Sequence, residues 1–240
     1  MELAQVVINF GNDDTLPFSF RKQSLGDRGV IQQIFVNKDY DLSQLARFKD
    51  IVGEYDRIIE AGRKPLILDC GANIGASALW FAKSFPKSHV IALEPEEKNY
   101  GILQLNCGKH PIITPIQAAI SNVDETLYIQ DPGEGDWGFR TTNNPEGKEV
   151  PTPAYSIATT SKKVPDADLF IVKIDIEGGE AHLFETNFEW IDQAMLIIVE
   201  LHDWLLPGSA NSQNCLKALS QYRRDLVFRG ENLFSIRNPN

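Results

Sequence analysis

Five short apolar runs alternate with amphipathic stretches from residue 65 onward, and this alternation constrains the fold more than any other feature. The runs cover residues 66–68, 90–93, 112–113, 169–172 and 195–199. Unbroken apolar runs rich in β-branched residues are typical of strands buried on both faces, as in a parallel sheet. Helices are predicted between or after them, over 76–84, 97–107, from 180 onward and over 215–223. We therefore predict an α/β fold, a doubly wound Rossmann-like sheet with helices on both sides.

The chain changes character at residue 65 and again between residues 121 and 165. Alternating apolar residues on either side of Gly11 predict a hairpin, and helical spacing over 42–59 predicts a helix. We expect residues 1–64 to form an N-terminal β/α extension and residues 65–240 the main domain. The segment 121–165 is rich in Pro, Gly, Asn and Thr. It predicts a β-rich insertion after the third core strand, with one clear strand over 126–130.

Composition limits the partners of the protein. The 240 residues carry a net charge of −10, which disfavours nucleic acid because its phosphate backbone requires clustered Lys and Arg. No apolar run approaches the roughly 20 residues that span a bilayer, and the first residues lack a basic, then apolar leader. Three widely spaced cysteines without CxxC spacing indicate reduced thiols. We expect a cytoplasmic protein that does not contact membranes and acts on a small molecule or carbohydrate.

The segment LILDCGANIGAS (66–77) places a tight turn between a buried strand and a helix. Gly71 allows a sharp turn and close approach to a ligand, and Gly75 allows the helix to pack closely as it leaves the sheet. The spacing is GxxxG instead of the GxGxxG of dinucleotide-binding proteins, and Asp69 ends the strand with a carboxylate. A carboxylate repels pyrophosphate but suits a cationic amino acid. The turn, including Ala72 and Asn73, is therefore predicted to hold the methionine part of S-adenosylmethionine.

Glu94 ends the second buried strand and is followed directly by Pro95. It lies roughly 20 residues after Gly75, the distance at which an acidic residue typically binds ribose hydroxyls in related folds. Two carboxylate oxygens match a vicinal diol. We predict that Glu94 binds the cofactor ribose; a solvated loop glutamate is the alternative interpretation.

A second acidic segment, IDIEGGE (174–180), follows the strand that begins near residue 169. Strand alternation places Lys173 and Asp175 on one face at the carboxyl edge of the sheet, and Glu177 on the same face if the strand extends that far. A carboxylate there could orient or deprotonate an acceptor hydroxyl, or bind a divalent cation with its neighbour. Asp175 is the predicted functional residue, and Glu177 is a candidate. Lys173 and Glu180 are interpreted as structural, pairing with a carboxylate and favouring the next helix N-terminus, respectively.

His202 is the best placed of the four histidines, because it follows the last apolar run directly. With an ordinary pKa near ~6.5 it could accept a proton from a hydroxyl; a structural histidine beside Trp204 is the alternative. No His/Cys cluster has the spacing of a zinc site, so we predict no metal. Methyl transfer would then depend on alignment of donor and acceptor, with Asp175 or His202 as the single proton acceptor.

Four ordered segments resemble the FkbM-type methyltransferases: LDCGANIG (68–75), ALEP (92–95), KIDIEGGE (173–180) and VELHD (199–203). The resemblance implies a class I methyltransferase fold, S-adenosylmethionine as donor, S-adenosylhomocysteine as product, and most often a hydroxyl acceptor on a sugar or natural product. It marks the turn residues Asp69, Gly71, Asn73 and Gly75 as the methionine-side loop and Glu94 as the ribose ligand. It also marks Asp175, Glu177 and Glu180 as the acidic segment over the reaction centre. A weaker likeness over 117–121 places Ala119 on the adenine side.

Two other functions fit parts of this pattern. A dinucleotide-dependent oxidoreductase would share the Rossmann-like sheet, although the GxxxG spacing counts against it. A non-catalytic binding module could retain the cofactor turn without the chemistry. Aromatic residues of the insertion (Tyr128, Trp137, Phe139 and Tyr155) suit stacking on a sugar, or they pack the insertion against the domain.

Overall fold

The computed structural model describes residues 2–11, 14–131, 133, 138–142 and 149–239. The strands are β1 (Leu3–Asn9), β2 (Thr15–Arg21), β3 (Lys64–Cys70), β4 (His89–Leu93), β5 (Ile113–Ile116), β6 (Ala119–Ser121), β7 (Glu125–Gln130), β8 (Arg140–Thr142), β9 (Val150–Ser156), β10 (Ala167–Ile174), β11 (Leu196–Glu200), β12 (Arg224–Arg229) and β13 (Asn232–Arg237). The α-helices are α1 (Leu25–Ile31), α2 (Phe48–Glu60), α3 (Ala76–Ser84), α4 (Glu97–Cys107), α5 (Ile157–Ser161), α6 (Glu180–Leu183), α7 (Trp190–Gln193) and α8 (Gln213–Leu219). A π-helical stretch (Gln32–Val36) continues α1, and a 3-10 turn (Leu42–Gln44) precedes α2.

The central sheet has the strand order β12-β13-β11-β10-β3-β4-β5. The five strands from β11 to β5 are parallel, and β13 and β12 join them in antiparallel orientation. After β3 the chain builds β4 and β5 on one side, then returns to place β10 on the other side. This reversal makes the carboxyl ends of β3 and β10 the topological switch point, where open α/β sheets bind their ligands.

Two apolar cores cover the two faces of this sheet. Ile67 and Ile171 belong to the core that contains the inner faces of α2, α3 and α4, whereas Leu68 and Val172 belong to the core beneath α5 to α8. Neighbouring residues of one strand thus enter opposite cores, as expected for strands buried on both faces. The predicted doubly wound α/β sheet is confirmed, and α3 and α4 have the predicted bounds.

The first sixty residues pack onto the α3–α4 face of the sheet. The strands β1 and β2 form the predicted hairpin, and Ile8, Phe18 and Ile34 enter the core shared with Ile102 and Phe170. The Asn106 side chain accepts a hydrogen bond from Ser19 N at 2.8 Å and donates one to Ser19 O at 3.0 Å, which fixes α4 to β2. The helix expected over 42–59 is a 3-10 turn followed by α2.

A separate four-stranded sheet, in the order β6-β9-β7-β8, follows β5. It begins at Ala119, two residues before the predicted insertion, because β6 pairs in parallel with β9. The predicted strand over 126–130 is confirmed as β7, which pairs in antiparallel fashion with β8 and β9. Trp137 lies outside the described residues.

The C-terminal part departs from the sequence-based prediction. Only one short turn of helix, α6, follows Glu180, and α7 forms separately. The helix expected over 215–223 ends at Leu219, because the chain turns there into the unpredicted hairpin β12–β13. Within the described ranges, no helix combines the length and the apolarity that a bilayer crossing requires.

Candidate active site

A cleft lies at the switch point, between the carboxyl ends of the parallel strands and the four-stranded sheet. Its wall is formed by Gly71, Asn73, Glu94, Pro95, Asn99, Ala118, Ala119, Ile120, Phe139, Thr141, Asp175, Ile176 and Glu177. Six of the predicted site residues therefore line one cleft: Gly71, Asn73, Glu94, Ala119, Asp175 and Glu177. The other four, Asp69, Ala72, Gly75 and His202, lie behind this wall.

The turn after β3 brings the backbone of β3 against that of β10. Gly71 has a φ of 80°, and a Cβ built on it would lie 1.7 Å from the carbonyl oxygen of Asp175. The N–H groups of Gly71 and Ala72 both donate to Leu93 O, which ties the turn to β4. Any side chain at position 71 would force these strands apart, so glycine is required by the close approach.

Asp69 is fully buried beneath this turn and does not line the cleft. Its Oδ2 accepts a hydrogen bond from Ser77 Oγ at 2.6 Å, and its Oδ1 lies 3.3 Å from Lys173 Nζ. Lys173 also donates to Gly71 O at 2.7 Å and lies 3.3 Å from Asp175 Oδ2. Burial lowers the pKa of Lys173, but the carboxylate charges of Asp175 and Asp69 hold that pKa well above its usual value. The predicted pairing of Lys173 with a carboxylate is confirmed, and Asp69 faces this ammonium group instead of the cleft.

Gly75 and Ala72 shape the turn from within. Gly75 has a φ of 93°, and its Cβ would lie 2.7 Å from Cys107 Sγ and 2.9 Å from Leu103 Cδ1. The glycine therefore lets α4 approach the residue that precedes α3, whereas the sequence had predicted close packing at the point where the helix leaves the sheet. Contact of Asp69, Ala72 or Gly75 with a cofactor stays a prediction; in the structure their side of the turn faces the protein interior.

Glu94 is buried in the cleft wall, with a relative exposure of 5%. Its Oε2 accepts a hydrogen bond from Asn73 N at 2.9 Å, and its Oε1 accepts one from Glu96 N at 3.0 Å. Burial raises the pKa of Glu94 to about 7, even though these two backbone hydrogen bonds lower it. A solvated loop glutamate is therefore excluded, and the carboxylate is held in place beside the turn.

The far end of the cleft combines the segment before β6 with residues of the four-stranded sheet. Ala118 and Ala119 line it, together with Phe139 and Thr141 from around β8. Gln117 faces an adjoining groove that shares Phe139 with the cleft. Among the aromatic residues of the insertion that the structure describes, Phe139 reaches the cleft. Tyr155 instead packs its ring under the Lys163 ammonium, with 4.4 Å between Nζ and the ring centroid.

His202 lies at the centre of a cluster of carboxylates at the ends of β10 and β11. Its side chain is 1% exposed, and its Nε2 lies 3.5 Å from Glu177 Oε2. The same nitrogen lies 3.7 Å from Asp175 Oδ1 and 3.7 Å from Glu200 Oε1. Its Nδ1 forms a 2.8 Å hydrogen bond with Glu180 Oε1. The sequence-based candidates Asp175, Glu177 and His202 are therefore brought together.

This environment changes the proton equilibrium of the cluster. Burial, followed by the charge of Asp175, raises the pKa of Glu177 and of Glu200. Burial lowers the pKa of His202, but its hydrogen bond with Glu180 and the surrounding carboxylates outweigh burial and raise that pKa to about 9. The ring of His202 is then already protonated at neutral pH. This disfavours the role of proton acceptor that an ordinary pKa had suggested for His202.

Glu180 anchors the cluster from below, which the sequence did not indicate. It is the first residue of α6 and is fully buried. The Asn211 side chain donates a hydrogen bond to Oε2 of Glu180, and Oε1 of Glu180 is hydrogen-bonded to Nδ1 of His202. Its placement at a helix N-terminus agrees with the structural interpretation, and the fixed orientation of the imidazole follows from it.

Two further residues of this region were missed by sequence reasoning. Glu200 is the last residue of β11, just as Asp69 is the second-last residue of β3 and Glu94 directly follows β4, so the same strand-end rule would have identified it. Tyr40, from the N-terminal extension, is 2% exposed, and burial raises the pKa of its hydroxyl. The Tyr40 ring stacks on Phe81, and Lys173, Asp175 and Glu200 are near enough for their charges to act on the pKa of its hydroxyl. Because Tyr40 belongs to no recognisable sequence motif, sequence reasoning had no basis for placing it near these residues.

Comparison with known proteins identifies relatives of the whole region. A family profile described as "Methyltransferase FkbM domain" matches residues 69–222, which include the turn, Glu94, Asp175 and His202. Hexuronic acid methyltransferase AglP of Haloferax volcanii is 24% identical over 166 residues, 67% of this chain and 67% of that protein. Methyltransferase 1 of Beauveria bassiana is 24% identical over 200 residues, 72% of this chain and 73% of that protein.

Solved structures of similar shape include two methyltransferases. The SAH-bound methyltransferase PaMTH1 of Podospora anserina has a TM-score of 0.44 and 16% identity, with 87% of this chain and 84% of that chain covered. A putative O-methyltransferase from Klebsiella pneumoniae has a TM-score of 0.44 and 12% identity, with 87% of this chain and 100% of that chain covered.

Proposed function

The protein is a member of the FkbM methyltransferase family, and from this premise we propose that it transfers a methyl group from S-adenosylmethionine to a hydroxyl of a sugar or small natural product. A relative described as a hexuronic acid methyltransferase supports a sugar-like acceptor. The oxidoreductase alternative is wrong, because the profile covers more than half of the chain with a methyltransferase domain. The observation that carries the proposal is the buried Glu94 carboxylate beside the Gly71–Asn73 turn, at the switch point of the sheet.

The residues of the cleft fit the cofactor. Asn73 Oδ1 is buried without a hydrogen-bond partner among the described residues, so it can accept a hydrogen bond from a ligand group. Gly71 allows a ligand to reach the backbone, and Glu94 presents a carboxylate to a ribose diol. Ala118 and Ala119 leave a small, apolar surface suited to a planar base. Bound here, S-adenosylmethionine would supply an electrophilic methyl group.

The methyl group would point towards the acidic end of the cleft. Asp175 and Glu177 line that end, and the carboxylate of Asp175 is 28% exposed, so an acceptor can reach it. Alignment of the acceptor oxygen with the methyl group would supply much of the rate, as it does for other pre-oriented reactants. A hydroxyl must also lose its proton, and a positioned base typically contributes about 10²–10⁴-fold. Because His202 is held in its protonated form, we assign the proton acceptor to Asp175.

The test of this function is the affinity for S-adenosylhomocysteine, measured by calorimetry for the wild type and for Glu94→Gln. The wild type should bind, and a saturating ligand at 100 times its dissociation constant should stabilise it by about 2.7 kcal/mol. Glu94→Gln should lose about 1.5–3 kcal/mol of binding free energy, the usual value for a hydrogen bond to a charged group. The stability of the ligand-free variant is measured in parallel, because Gln removes a buried charge but keeps a single acceptor oxygen for the two backbone N–H groups that Glu94 binds.

Glu60→Gln is the matched control, since it removes the same charge from an exposed site at the end of α2. Its affinity should equal that of the wild type. Failure of the wild type to bind S-adenosylhomocysteine would refute the proposed donor. Binding without methyl transfer to any sugar or small hydroxylated acceptor would favour the non-catalytic alternative.

A further inference from the structure

Three side chains from two strand ends converge on one point beside the cleft. One ligand atom each of Asp175, Glu200 and His202 lies within 4.8 Å of the others. Asp175 follows β10, while Glu200 and His202 belong to the end of β11 and the residues after it. Parallel pairing of β10 with β11 brings these ends together. Two carboxylates and one imidazole with a common focus are a donor set that binds divalent transition metals.

The protein leaves the donor atoms of this group without hydrogen bonds. The Glu200 side chain is 10% exposed, and among the described residues its carboxylate is approached by His202 Nε2 at 3.7 Å, which is too long for a hydrogen bond. Glu177 Oε2 is buried and also has no hydrogen-bond partner among those residues. Buried polar atoms are normally paired, so unpaired oxygens around one point indicate a missing partner.

The imidazole is oriented as a metal ligand requires. Glu180 Oε1 holds Nδ1 at 2.8 Å, which leaves Nε2 directed at the carboxylates of Asp175, Glu177 and Glu200. Metal-binding histidines almost always bond their other ring nitrogen to a carboxylate or carbonyl in this way. The Asn211 side chain holds the second oxygen of Glu180, so the orientation is fixed twice.

Negative side chains outnumber positive ones in this part of the molecule. The carboxylates are those of Asp69, Asp175, Glu177, Glu180 and Glu200, and the cations are Lys173 and His202. Lys173 is committed to Asp69, Asp175 and the carbonyl of Gly71. A further cation would therefore be attracted to the open side, where Asp175 is exposed to the cleft.

We propose that this cluster is a divalent metal site whose ligands are Asp175 Oδ1, Glu200 Oε1 and His202 Nε2, with Glu177 close enough to bind directly or through water. The metal would take the place of the proton that Nε2 carries in the metal-free protein, and this proton would be released to solvent. The imidazole suits a transition ion, and the carboxylates suit Mn²⁺ as well as Mg²⁺ and Ca²⁺, so Mn²⁺ is a transition ion that matches most of this donor set. The open positions face the cleft, where an acceptor oxygen could bind. That use of the site rests on the proposed function, whereas the binding of the metal does not. The proposal replaces the sequence-based expectation of no metal, which considered spacing along the chain and not strands brought together.

The experiment is a titration of the chelator-treated 240-residue chain with Mn²⁺ alone, monitored by electron paramagnetic resonance. The wild type should bind one equivalent, and Glu200→Gln should weaken binding by at least tenfold. Asp175→Asn should also weaken Mn²⁺ binding by at least tenfold. This second variant keeps the test valid if Glu200→Gln does not fold, because the partly exposed Asp175 tolerates substitution better than a buried residue. His182→Gln is the control, because His182 forms a 2.8 Å pair with Glu125 away from the cleft. Its Mn²⁺ affinity should match that of the wild type.

Two results would overturn the metal site. One is the absence of Mn²⁺ binding at millimolar concentration, and the other is equal binding by the wild type and both ligand variants. S-adenosylhomocysteine affinity, measured on the same samples, separates this failure from failure of the proposed function. Protein that binds S-adenosylhomocysteine and methylates an acceptor after chelation would retain the proposed function and leave Asp175 as a metal-free base.

Discussion

Both halves of the cleft are built around carboxylate side chains, but the hydrogen bonding of these carboxylates differs between the halves. In the cofactor half, at the ends of β3 and β4, both oxygens of Glu94 accept backbone N–H groups. Asp69 accepts a hydrogen bond from Ser77 through Oδ2, and its Oδ1, which has no hydrogen bond from the described residues, faces the Lys173 ammonium at 3.3 Å. In the acidic half, at the ends of β10 and β11, Glu200 and Glu177 Oε2 lack hydrogen bonds from the described residues. Carboxylates that are satisfied by the protein fix a shape, whereas carboxylates left unsatisfied keep their capacity for a ligand.

Lys173 joins the two halves, and its removal should have the largest effect. Lys173→Met leaves Asp69 buried without its cation, and breaking a buried ion pair typically costs about 3–5 kcal/mol. The free energy of unfolding in urea should fall by that amount. Lys22→Met is the control, because its 2.7 Å pair with Glu2 is mostly exposed and is worth about 0–1 kcal/mol. Equal losses in the two variants would show that the halves do not depend on this lysine.

Gly71→Ala tests the distance between the halves. The left-handed backbone at position 71 costs an L-residue about 1–2 kcal/mol, and overlap with the Asp175 carbonyl adds a further 1–3 kcal/mol. Gly62→Ala is matched, since Gly62 has a φ of 73° and open space around its Cβ position. Urea denaturation should show that the free energy of unfolding falls by roughly 3 kcal/mol for Gly71→Ala. For Gly62→Ala it should fall only by the backbone cost of about 1–2 kcal/mol. A difference below about 0.5 kcal/mol would contradict the close approach.

The pH dependence of S-adenosylhomocysteine affinity sharpens the contrast by probing the cofactor half alone. The pKa of Glu94 is raised to about 7, so the carboxylate is ionised above that pH and protonated below it. If the ionised form binds the ribose, affinity should be highest above pH 7 and fall about tenfold by pH 6, since one pKa unit corresponds to about 1.4 kcal/mol. Calorimetry should show this fall in the wild type and a flat profile in Glu94→Gln. A wild-type profile as flat as that of the variant would remove Glu94 from ribose binding.

The same division explains how much the sequence could predict. The cofactor half is local in sequence, because β3, the turn, α3, β4 and Glu94 follow one another within 31 residues (64–94). A short stretch of sequence therefore contains the strand pattern, the glycines and the carboxylates that predict this half of the site. The acidic half needs β10 beside β11 and the Glu180–His202 hydrogen bond across 22 positions. Spacing along the chain cannot report that Glu200 meets Asp175, because the contact depends on strand order.

The unpredicted hairpin at the C-terminal end has a different cause. In β12, Leu226, Val227 and Phe228 are all exposed, so the strand shows neither the alternation of a half-buried strand nor the environment of a buried one. It is an edge strand, held by pairing with β13 and not by burial. The insertion was recognised by composition, but its start at Ala119 follows from the pairing of β6 with β9, which composition does not encode.

The bond from Lys173 Nζ to the carbonyl of Gly71 spans 102 positions of the chain, and this sets an order of events during synthesis. The turn and its neighbour β4 emerge early and can pair, since their contacts are local. The lysine that pins the turn is added about 5–20 s later at ordinary rates of translation. During that interval the nascent chain carries Asp69 without its cation, and the loop closed by this bond must be ordered before the cleft exists. Maturation of the cleft should therefore be governed by the arrival of β10 and not by formation of the turn.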